Sequence, residues 1–383
     1  MAIISINDES IAQAAAVIAR GGLVAFPTET VYGLGGDAFN PLSLAKIFEV
    51  KGRPRFDPLI VHIAAFETLE NIADLSLLDA GAKKNLAVLT QRFWPGPLTL
   101  ILPKQKTIPD LATSGLPTVA VRLPDHDAAR RLIALSTGAV AAPSANPFGY
   151  LSPTRAEHVA AMLGEKIEII LDGGAARFGL ESTVLDMSDG QPRILRPGAA
   201  PKEAIEALVG EVAVGSAVAN NSPVSPGMLK SHYAPRVPLM THNGELPHGL
   251  EVDGAACRNA ALLFFDGASR DRWLSAQHHK LKKFYHGGHG VSRRKIRNSY
   301  QKLRIPPCTP WFPFSISKQT PVIVAVLSET GDLTEAAARL FETLHELDRP
   351  GIKRIYAQLV PEENLGVAIN DRLRRAENTH GKE

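Results

Sequence analysis

The residues of this chain best suited to chemistry are cations placed beside apolar runs. Lys51, Arg53 and Arg55 fall within five residues of the stretch KGRPRFDPL (51–59), directly before an apolar run. Two further arginines lie at the ends of apolar segments, in VAVRLP and RILRPG: Arg122 and Arg196. Fixed ammonium and guanidinium groups bind phosphates and carboxylates strongly. Four of these cations, all except Arg55, therefore suit a polyphosphate together with a second small anion.

Hydroxyl, amide and imidazole groups occupy the same kind of position. They lie at the ends of predicted strands: Thr28 and Thr30 after VAFP, His62 in LIVHI, Ser144 and Asn146 after AVAAP, and Ser182 at the start of STVLDM. Because a sheet directs such groups toward one cleft, we expect them to meet the cations. Taken alone, each residue also has an ordinary structural explanation: a core position for His62, a strand cap for Arg122, turn hydrogen bonds for Ser144.

Common nucleotide-binding and catalytic motifs are absent from the sequence. It contains no Walker A loop, and the glycine clusters YGLGGD and HGGHG do not make a GxGxxG between strand and helix. No serine lies in a GxSxG elbow, and neither HExxH nor HxxEH occurs. A nucleotide would therefore be held by other groups, and a hydrolase triad or a metalloprotease site is not predicted.

The composition indicates two globular domains. The chain has 383 residues, of which 45% are hydrophobic and 21% charged. The N-terminus MAIISINDES carries acids and no base, and no window approaches the roughly 18 apolar residues of a membrane span. We therefore expect a soluble, cytoplasmic protein. Cys257 and Cys308 are too few for a disulfide framework and lack the spacing of a structural zinc site.

The net charge of +3 is unevenly distributed. Residues 270–304 contain eleven Lys/Arg and one acid, a net +10, which leaves −7 for the rest of the chain. A nucleic-acid interaction would therefore depend on this segment and not on the whole chain. The interval 270–321 also holds four histidines among Gly and Pro, so RNA or metal binding is open, but a solvated, mobile insertion is the interpretation we favour.

Alternating strand and helix patterns predict an α/β domain with a twisted mixed sheet at residues 1–210. Strands are predicted at LVAF, LIVHI, LTLIL, VAVRL, AVAAPSA, IEIILD, STVLDM and PRILRPG. Helices are predicted at ESIAQAAAVIARGG, NPLSLAKIFEV, DHDAARRLIALS, TRAEHVAAML and about 201–209. Residues 211–237, rich in Gly, Ser, Asn and Pro, are predicted to form a linker.

A smaller, Rossmann-like α/β domain is predicted at residues 238–383. Its strands are AALLFF (260–265), VIVAVL (322–327) and RIYAQLV (354–360). Asp332 and Glu335 have the spacing of a capping box at the start of one helix, and LGVAINDRLRRAEN forms a second.

These motifs together resemble the YrdC-type threonylcarbamoyl-adenylate synthases. The resemblance rests on VAFPTETVYGLG (24–35), KGRPRFDPLIVHI (51–63), WPGPLTLIL (94–102), VAVRLP (119–124), APSAN (142–146), LESTVLD (180–186) and RILRPG (193–198). The segments SPGMLKSHYAP (225–235) and AINDRLRRA resemble the longer, two-domain members. The resemblance covers about residues 8–240 and 322–376, and it implies a YrdC-like first domain.

The resemblance implies a nucleotidyltransferase that joins L-threonine, bicarbonate and ATP into L-threonylcarbamoyl-AMP and releases pyrophosphate. The product would pass to a tRNA threonylcarbamoyltransferase, for N6-threonylcarbamoyladenosine in tRNAs that read ANN codons. Mg²⁺ would be bound mainly through the ATP phosphates and not by a protein metal site. Direct tRNA binding is left open, and the HYAP linker is predicted to close over the cleft as a lid.

The resemblance also assigns residues to the two substrates. The implied ATP contacts are Lys51, Arg53, Asp57, Thr118, Ser144, Asn146, Ser152, Arg196 and Tyr233, with Lys51 and Arg53 as the catalytic cations. The implied threonine pocket is Thr30, His62, Arg122 and Ser182, with Arg122 facing the carboxylate. Asp57 occupies a position where the family often has Asn or Lys, so the resemblance implies a nucleotide contact from its backbone and not from its side chain.

Two alternatives are kept beside this interpretation. One is a carbamoyl-adenylate-forming enzyme like the hydrogenase-maturation carbamoyltransferases, which contain a similar domain. Those proteins add zinc-binding CxxC pairs, which two distant cysteines exclude here. The other is an RNA-binding module with a basic concave face and residues 270–304 as an arm. Such a module has no need of an amino-acid-sized pocket built from Arg122, His62 and Ser182.

Overall fold

The structure, a computed structural model, describes residues 2–215, 232–246, 259–286, 311–314 and 322–377. In the first domain, the strands are β1 (Ala2–Ser5), β2 (Val24–Phe26), β3 (Gly33–Asp37), β4 (Ile60–Ile63), β5 (Leu98–Pro103), β6 (Thr118–Arg122), β7 (Ala139–Ala141), β8 (Ile169–Asp172), β9 (Thr183–Asp186), β10 (Arg193–Arg196) and β11 (Ala213–Val214). The helices are α1 (Asp8–Ala19), α2 (Pro41–Lys51), α3 (Ala80–Phe93), α4 (Asp110–Thr113), α5 (Asp127–Leu135), α6 (Ala156–Leu163) and α7 (Lys202–Val209). Short 3₁₀ turns span Phe66–Asn71, Leu75–Leu77 and Gly164–Lys166.

The first sheet is mixed, as predicted. Its strands follow the order β1-β8-β2-β3-β7-β4-β6-β5-β9-β10-β11. Parallel pairs such as β4 with β6 and β5 with β9 alternate with antiparallel pairs such as β4 with β7 and β5 with β6. Val24 and Phe26 of β2 pack with α1 and α5, whereas Ala25 between them belongs to the cluster that includes α2 and α3. Helices therefore cover both faces, since successive strand residues point to opposite sides.

Strand β3 was not predicted, because its sequence GLGGD has low strand propensity. Its glycines allow a close approach between neighbouring strands. A Cβ atom at Gly35 would lie 2.6 Å from the ring of Phe26 and 2.8 Å from Val140. The glycines thus make room for a buried aromatic ring under the sheet, and that packing outweighs their weak propensity.

The second domain contains β12 (Leu239–His242), β13 (Ala260–Asp266), β14 (Trp311–Phe314), β15 (Val322–Ser328) and β16 (Arg354–Gln358), with helices α8 (Gly267–His286), α9 (Leu333–Leu347) and α10 (Leu365–Glu377). The sheet order is β12-β16-β13-β15-β14, parallel except for β14. Half of the predicted capping box of α9 is present, since Asp332 accepts a hydrogen bond of 2.7 Å from the Glu335 backbone. The backbone of Asp332 donates to Ser328 and not to Glu335.

The interval 270–321 differs in part from the prediction of a mobile insertion without regular structure. Its beginning belongs to helix α8, and residues 311–314 form strand β14. Trp273 explains the start of the helix, because its ring lies 6.0 Å from that of Phe264 on β13. Residues 287–310 and 315–321 lie outside the described residues, as do both cysteines. None of the helices in the described part of the chain is long and apolar enough to span a membrane.

The two domains share one apolar interface. Val31, Leu151 and Leu180 of the first domain are buried in the same cluster as the core of the second domain. Gly179 permits the close approach: its φ is +63°, and a Cβ atom there would lie 2.4 Å from the Ala338 carbonyl oxygen of α9. An aliphatic core that continues across the boundary holds the domains in one arrangement.

Replacing Gly179 by alanine is expected to lower the free energy of unfolding by about 2–4 kcal/mol, because a positive φ and a backbone clash add together. Urea denaturation followed by circular dichroism measures this loss. Gly174 is the matched control, since its φ is +75° but no atom lies within 4 Å of its Cβ position. Gly174→Ala should cost about 1–2 kcal/mol from the backbone alone. Equal losses in the two variants would contradict the interface clash.

Candidate active site

His62 and Arg122 are neighbours on two parallel strands. They pair in register between β4 and β6, and their side chains are 3% and 4% exposed. Burial, and then the positive charge of Arg122, lowers the pKa of His62 to about 3. The imidazole is therefore neutral at physiological pH, and its Nδ1 lies 3.3 Å from the Ile60 carbonyl oxygen. A neutral hydrogen-bonding ring thus stands beside a permanent cation.

These two side chains are part of the wall of a cavity of about 50 Å³. The other polar side chains in this wall come from segments far apart in the chain: Thr28, Thr30, Tyr32, Arg53, Ser144, Glu181, Ser182, Arg196, His232 and Tyr233. Eight of the thirteen predicted site residues line the cavity, so the motifs do converge on one place. Thr28 holds the turn beside Thr30: its hydroxyl lies 2.8 Å from that of Thr30 and donates to the Val31 carbonyl.

Arg122 is held by a buried acid. Its Nη2 lies 2.6 Å from Oε1 of Glu29, and both side chains are at most 5% exposed. Its Nε donates to the Gly96 carbonyl at 3.2 Å. Because a buried ion-pair partner and one backbone acceptor hold the guanidinium, its orientation is set before any ligand arrives.

Glu29→Gln is expected to lower the free energy of unfolding by about 3 kcal/mol, because it removes one charge of a buried pair. Threonine binding, measured by calorimetry, should also weaken, since Arg122 loses the partner that orients it. Glu168→Gln is the control: its pair with Arg20 is more than half exposed. That substitution should change stability by less than about 1 kcal/mol. Wild-type stability in Glu29→Gln would show that the pair contributes nothing.

The end of helix α2 places Lys51. Gly52 has a φ of +61° and ends the helix, so Lys51 lies in its last turn. The Lys51 ammonium donates to the backbone carbonyls of Ser144, at 2.6 Å, and of Asn146. Burial, and then the charge of Arg53, lowers the pKa of Lys51 well below its ordinary value. An anion at this place would relieve that unfavourable environment.

Arg53 follows directly and is fixed by Asp57. Its Nη2 lies 2.9 Å from Asp57 Oδ2, and its Nε donates to the Asp57 backbone carbonyl at 3.0 Å. Asp57 is fully buried and does not line the cavity. The side chain of Asp57 thus orients Arg53.

Arg196 and Ser182 meet where β10 ends and β9 begins. A register shift separates Ile194 from Arg196, and Nη2 of Arg196 donates to the Ser182 carbonyl at 2.8 Å and to its hydroxyl at 3.1 Å. Gly198 permits this approach, because a Cβ atom there would lie 2.4 Å from the backbone of residues 181–183. The RPG turn therefore fixes the arginine against the cavity wall.

The described end of the linker is built into the site. Tyr233, with a φ of +64°, is buried, and its ring lies 5.6 Å from that of Phe341 on α9. His232 is also buried, and burial followed by the charges of Arg53 and Lys51 lowers its pKa well below the ordinary value. Its Nδ1 has no hydrogen-bond partner in the described part of the chain. A neutral imidazole thus stands among cations, next to the cavity.

Five predicted residues do not line the cavity: Lys51, Asp57, Thr118, Asn146 and Ser152. Thr118 begins β6 and pairs with Pro103, four residues from Arg122. The Asn146 amide donates to the Pro147 and Tyr150 carbonyls, and the Ser152 hydroxyl donates to Glu181. Except for Thr118, which is half-buried, these residues form a buried layer behind the wall.

Comparisons with family models and with known proteins cover nearly the whole chain. The Sua5/YciO/YrdC family model, described as "Telomere recombination", matches residues 16–198. The model of the threonylcarbamoyl-AMP synthase C-terminal domain matches residues 200–377. The threonylcarbamoyl-AMP synthase of Pyrococcus abyssi is 40% identical, over 97% of this chain and 95% of its own. That of Bacillus subtilis is 38% identical, over 97% of this chain and 94% of its own.

This chain belongs to the threonylcarbamoyl-AMP synthase family. A crystal structure of the Pyrococcus abyssi protein Sua5 in complex with L-threonine superposes with a TM-score of 0.74, at 36% identity, over 99% of this chain and 98% of that one. The predicted two-domain form, the mixed α/β fold and the assignment to a nucleotidyltransferase-type enzyme are thereby confirmed. The relatives support this interpretation and not the alternatives of RNA binding or carbamoyl-adenylate formation.

Three residues in or beside the cavity wall were missed in the sequence: Glu181 and His232, which line it, and Glu29, which pairs with Arg122. Each directly precedes a predicted residue, in the motifs PTETV, LESTV and SHYAP. An acid between two threonines was the available signal. The sequence does not show, however, which of several arginines such an acid would pair with.

Proposed function

We propose that this chain joins L-threonine, bicarbonate and ATP into L-threonylcarbamoyl-AMP with release of pyrophosphate. The proposal rests on one observation: two groups of side chains, suited to different ligands, line different parts of the same cavity. His62 lies on β4 and Arg122 on β6, whereas Arg53 comes from the loop after α2 and Arg196 from β10. A zwitterion-sized niche and a set of cations suited to phosphates thus border one space.

For threonine, Arg122 would bind the carboxylate, with Thr30 and Ser182 as further hydrogen-bonding partners. The neutral imidazole of His62 is suited to a hydroxyl, which can both donate and accept. Because Glu29 holds Arg122 in place, little freedom is lost when the amino acid binds.

For ATP, Arg53 and Arg196 would face the phosphates from the wall, with Lys51 behind them. Ser144 also lines the cavity, whereas Asn146, Ser152, Thr118 and Asp57 would act from the layer behind or through their backbone. These remaining assignments are predictions from the resemblance. Tyr233 and His232 of the linker would close over the nucleotide, so the linker would act as a lid.

In the reaction, the threonine amine would capture bicarbonate or the CO₂ derived from it. An oxygen of the resulting carbamate would attack the α-phosphorus of ATP, and the bond to pyrophosphate would break. The protein's contribution is to hold the reactants in line and to place fixed cations where negative charge develops. Exclusion of water would protect the carbamate, which decomposes readily.

A Mg²⁺ ion bound through the phosphates fits this wall. Glu181 is the only carboxylate among the described residues that line the cavity. Its two oxygens already accept hydrogen bonds from Ser152 and Arg372. The ion would add charge neutralisation on the phosphates, and it would take its remaining ligands from water.

The product would serve a tRNA threonylcarbamoyltransferase, since a carbamoyl-phosphate anhydride is an activated group donor. We place the enzyme in the cytoplasm with its substrates. Direct tRNA contact remains a prediction that rests on the basic segment 270–304, of which residues 287–304 lie outside the described part of the chain.

Incubation with ATP, L-threonine and labelled bicarbonate tests the proposal. We expect pyrophosphate release and a labelled threonylcarbamoyl-AMP only when all three are present. Adenylate formation from carbamoyl phosphate without threonine would favour the carbamoyl-adenylate alternative. RNA binding with a steep salt dependence and no pyrophosphate release would favour the RNA-binding module.

A further inference from the structure

A cation of the second domain is buried against the nucleotide side of the cavity. Arg372 lies on α10 and is 1% exposed, the largest of the fully buried side chains in the described part of the chain. Charged side chains are almost never fully buried unless they are paired. Its buried position beside Pro197, 175 residues earlier in the chain, therefore needs a specific explanation.

The donors of Arg372 reach the first domain at two points. Its Nε donates to Glu181 Oε2 at 2.8 Å, and its Nη2 donates to the Pro197 carbonyl at 2.9 Å. Glu181 directly precedes Ser182, and Pro197 directly follows Arg196. One guanidinium thus ties together the two segments that carry the predicted threonine and phosphate contacts.

Arg372 also contacts the linker. The central carbon of its guanidinium lies 4.9 Å from the centre of the Tyr233 ring, a cation–π distance. Its Nη1 lies 2.6 Å from Asp371 on the same helix. The arginine therefore supports the Tyr233 ring from the side of the second domain.

Glu181 transmits the contact further. Its Oε1 accepts a hydrogen bond of 2.5 Å from Ser152, while its Oε2 accepts from Arg372. Although burial raises the pKa of Glu181, the charges of Arg372 and Arg196 lower it below its ordinary value. The carboxylate is thus ionised and needs both partners to remain in the wall.

We propose that Arg372 is a positioning residue of the ATP site, which acts through Glu181 on Ser152 and through its own contact on Tyr233. The second domain thereby sets the affinity for the nucleotide and leaves the threonine contacts His62 and Arg122 unchanged. Ser182, the predicted threonine contact beside Glu181, keeps its own hydrogen bonds to Thr99 and Arg196. This inference rests on the proposed function in assigning Ser152 and Tyr233 to the ATP side.

The test compares Arg372→Met and Arg372→Lys in the full-length chain. We expect Arg372→Met to weaken binding of a non-hydrolysable ATP analogue by about 10- to 100-fold, while threonine binding stays within about threefold. Arg372→Lys should recover part of the loss, because lysine keeps the positive charge but lacks the planar guanidinium with its several donors. Arg374→Met is the matched control, since Arg374 lies on the same helix in an exposed pair with Glu362 and should leave both affinities unchanged.

If Arg372 had only a structural role, Arg372→Met would lower thermal stability and would weaken the binding of ATP analogue and threonine equally, or weaken neither. Either result would overturn the proposal. If Arg372→Met does not fold, Arg372→Lys and Glu181→Gln carry the same comparison of the two affinities. A different result would refute the proposed function. A wild-type chain that binds ATP but forms no threonylcarbamoyl-AMP would refute that function, while the effect of Arg372 on ATP affinity would still be measured.

Discussion

Replacing Arg122 by alanine is expected to raise the threonine concentration needed for half-maximal turnover by about 100-fold, with little change in ATP binding. Paired hydrogen bonds between a guanidinium and a carboxylate contribute about 1.5–3 kcal/mol, which corresponds to this factor. The effect should be confined to threonine, because Arg122 lies beside His62 on β4 and β6. Initial rates at saturating ATP, together with calorimetry of an ATP analogue, measure both parts.

The substitution also leaves Glu29 buried without its partner, which costs stability for a reason unrelated to the substrate. Arg122→Ala combined with Glu29→Gln removes this complication and should keep the loss of threonine affinity. Arg122→Lys should be intermediate, because an ammonium cannot make the two parallel bonds. Equal losses for threonine and ATP, in the single and the double variant, would contradict the assignment of Arg122.

Most strands of the first domain were predictable because they are short, apolar and bounded by turn residues. LIVHI and VAVRL were located correctly, and each contributes one polar side chain to the cavity. That these two strands are parallel neighbours with His62 opposite Arg122 was not predictable. Pairing depends on the whole topology, and β7 separates β4 from β3 although it lies 75 residues later in the chain.

The parts of the site that were not predicted depend on contacts distant in sequence. Glu181 and Arg372 are 191 residues apart, and the segment LGVAINDRLRRAEN predicted a helix but no contact with the cavity. Strand β3 was missed for a different reason, since its local pattern is weak and packing decides it. Helix α3 was also missed, although Asp79 as its N-cap and the spacing of Ala82, Leu86, Leu89 and Phe93 were available signals. The residues predicted from their motifs lie at or near the cavity. The acids that hold them, Glu29 and Glu181, could be identified only from the structure.

Lys51 belongs to the layer behind the wall, and its surroundings suggest what it does. Its ammonium is buried, contacts two backbone carbonyls and lies beside Arg53. Neither carbonyl neutralises its charge, so a phosphate that approached this end of the cavity would be strongly attracted. The same phosphate would raise the pKa of Lys51, so ATP binding at high pH should take up a proton.

Lys51→Ala is expected to slow adenylate formation by about 100- to 1,000-fold, the cost of removing one preorganised group that stabilises charge in the transition state. Rapid-quench measurement of pyrophosphate release in a single turnover isolates this step from product release. Lys46 on the same helix is the control, because it is exposed and donates to the Gly21 carbonyl, and neither residue lines the cavity. Lys46→Ala should turn over like the wild type, and an equally fast Lys51→Ala would remove Lys51 from the mechanism. Calorimetry in two buffers of different ionisation enthalpy adds a second criterion, since the proton uptake on ATP binding should disappear in Lys51→Ala and persist in Lys46→Ala.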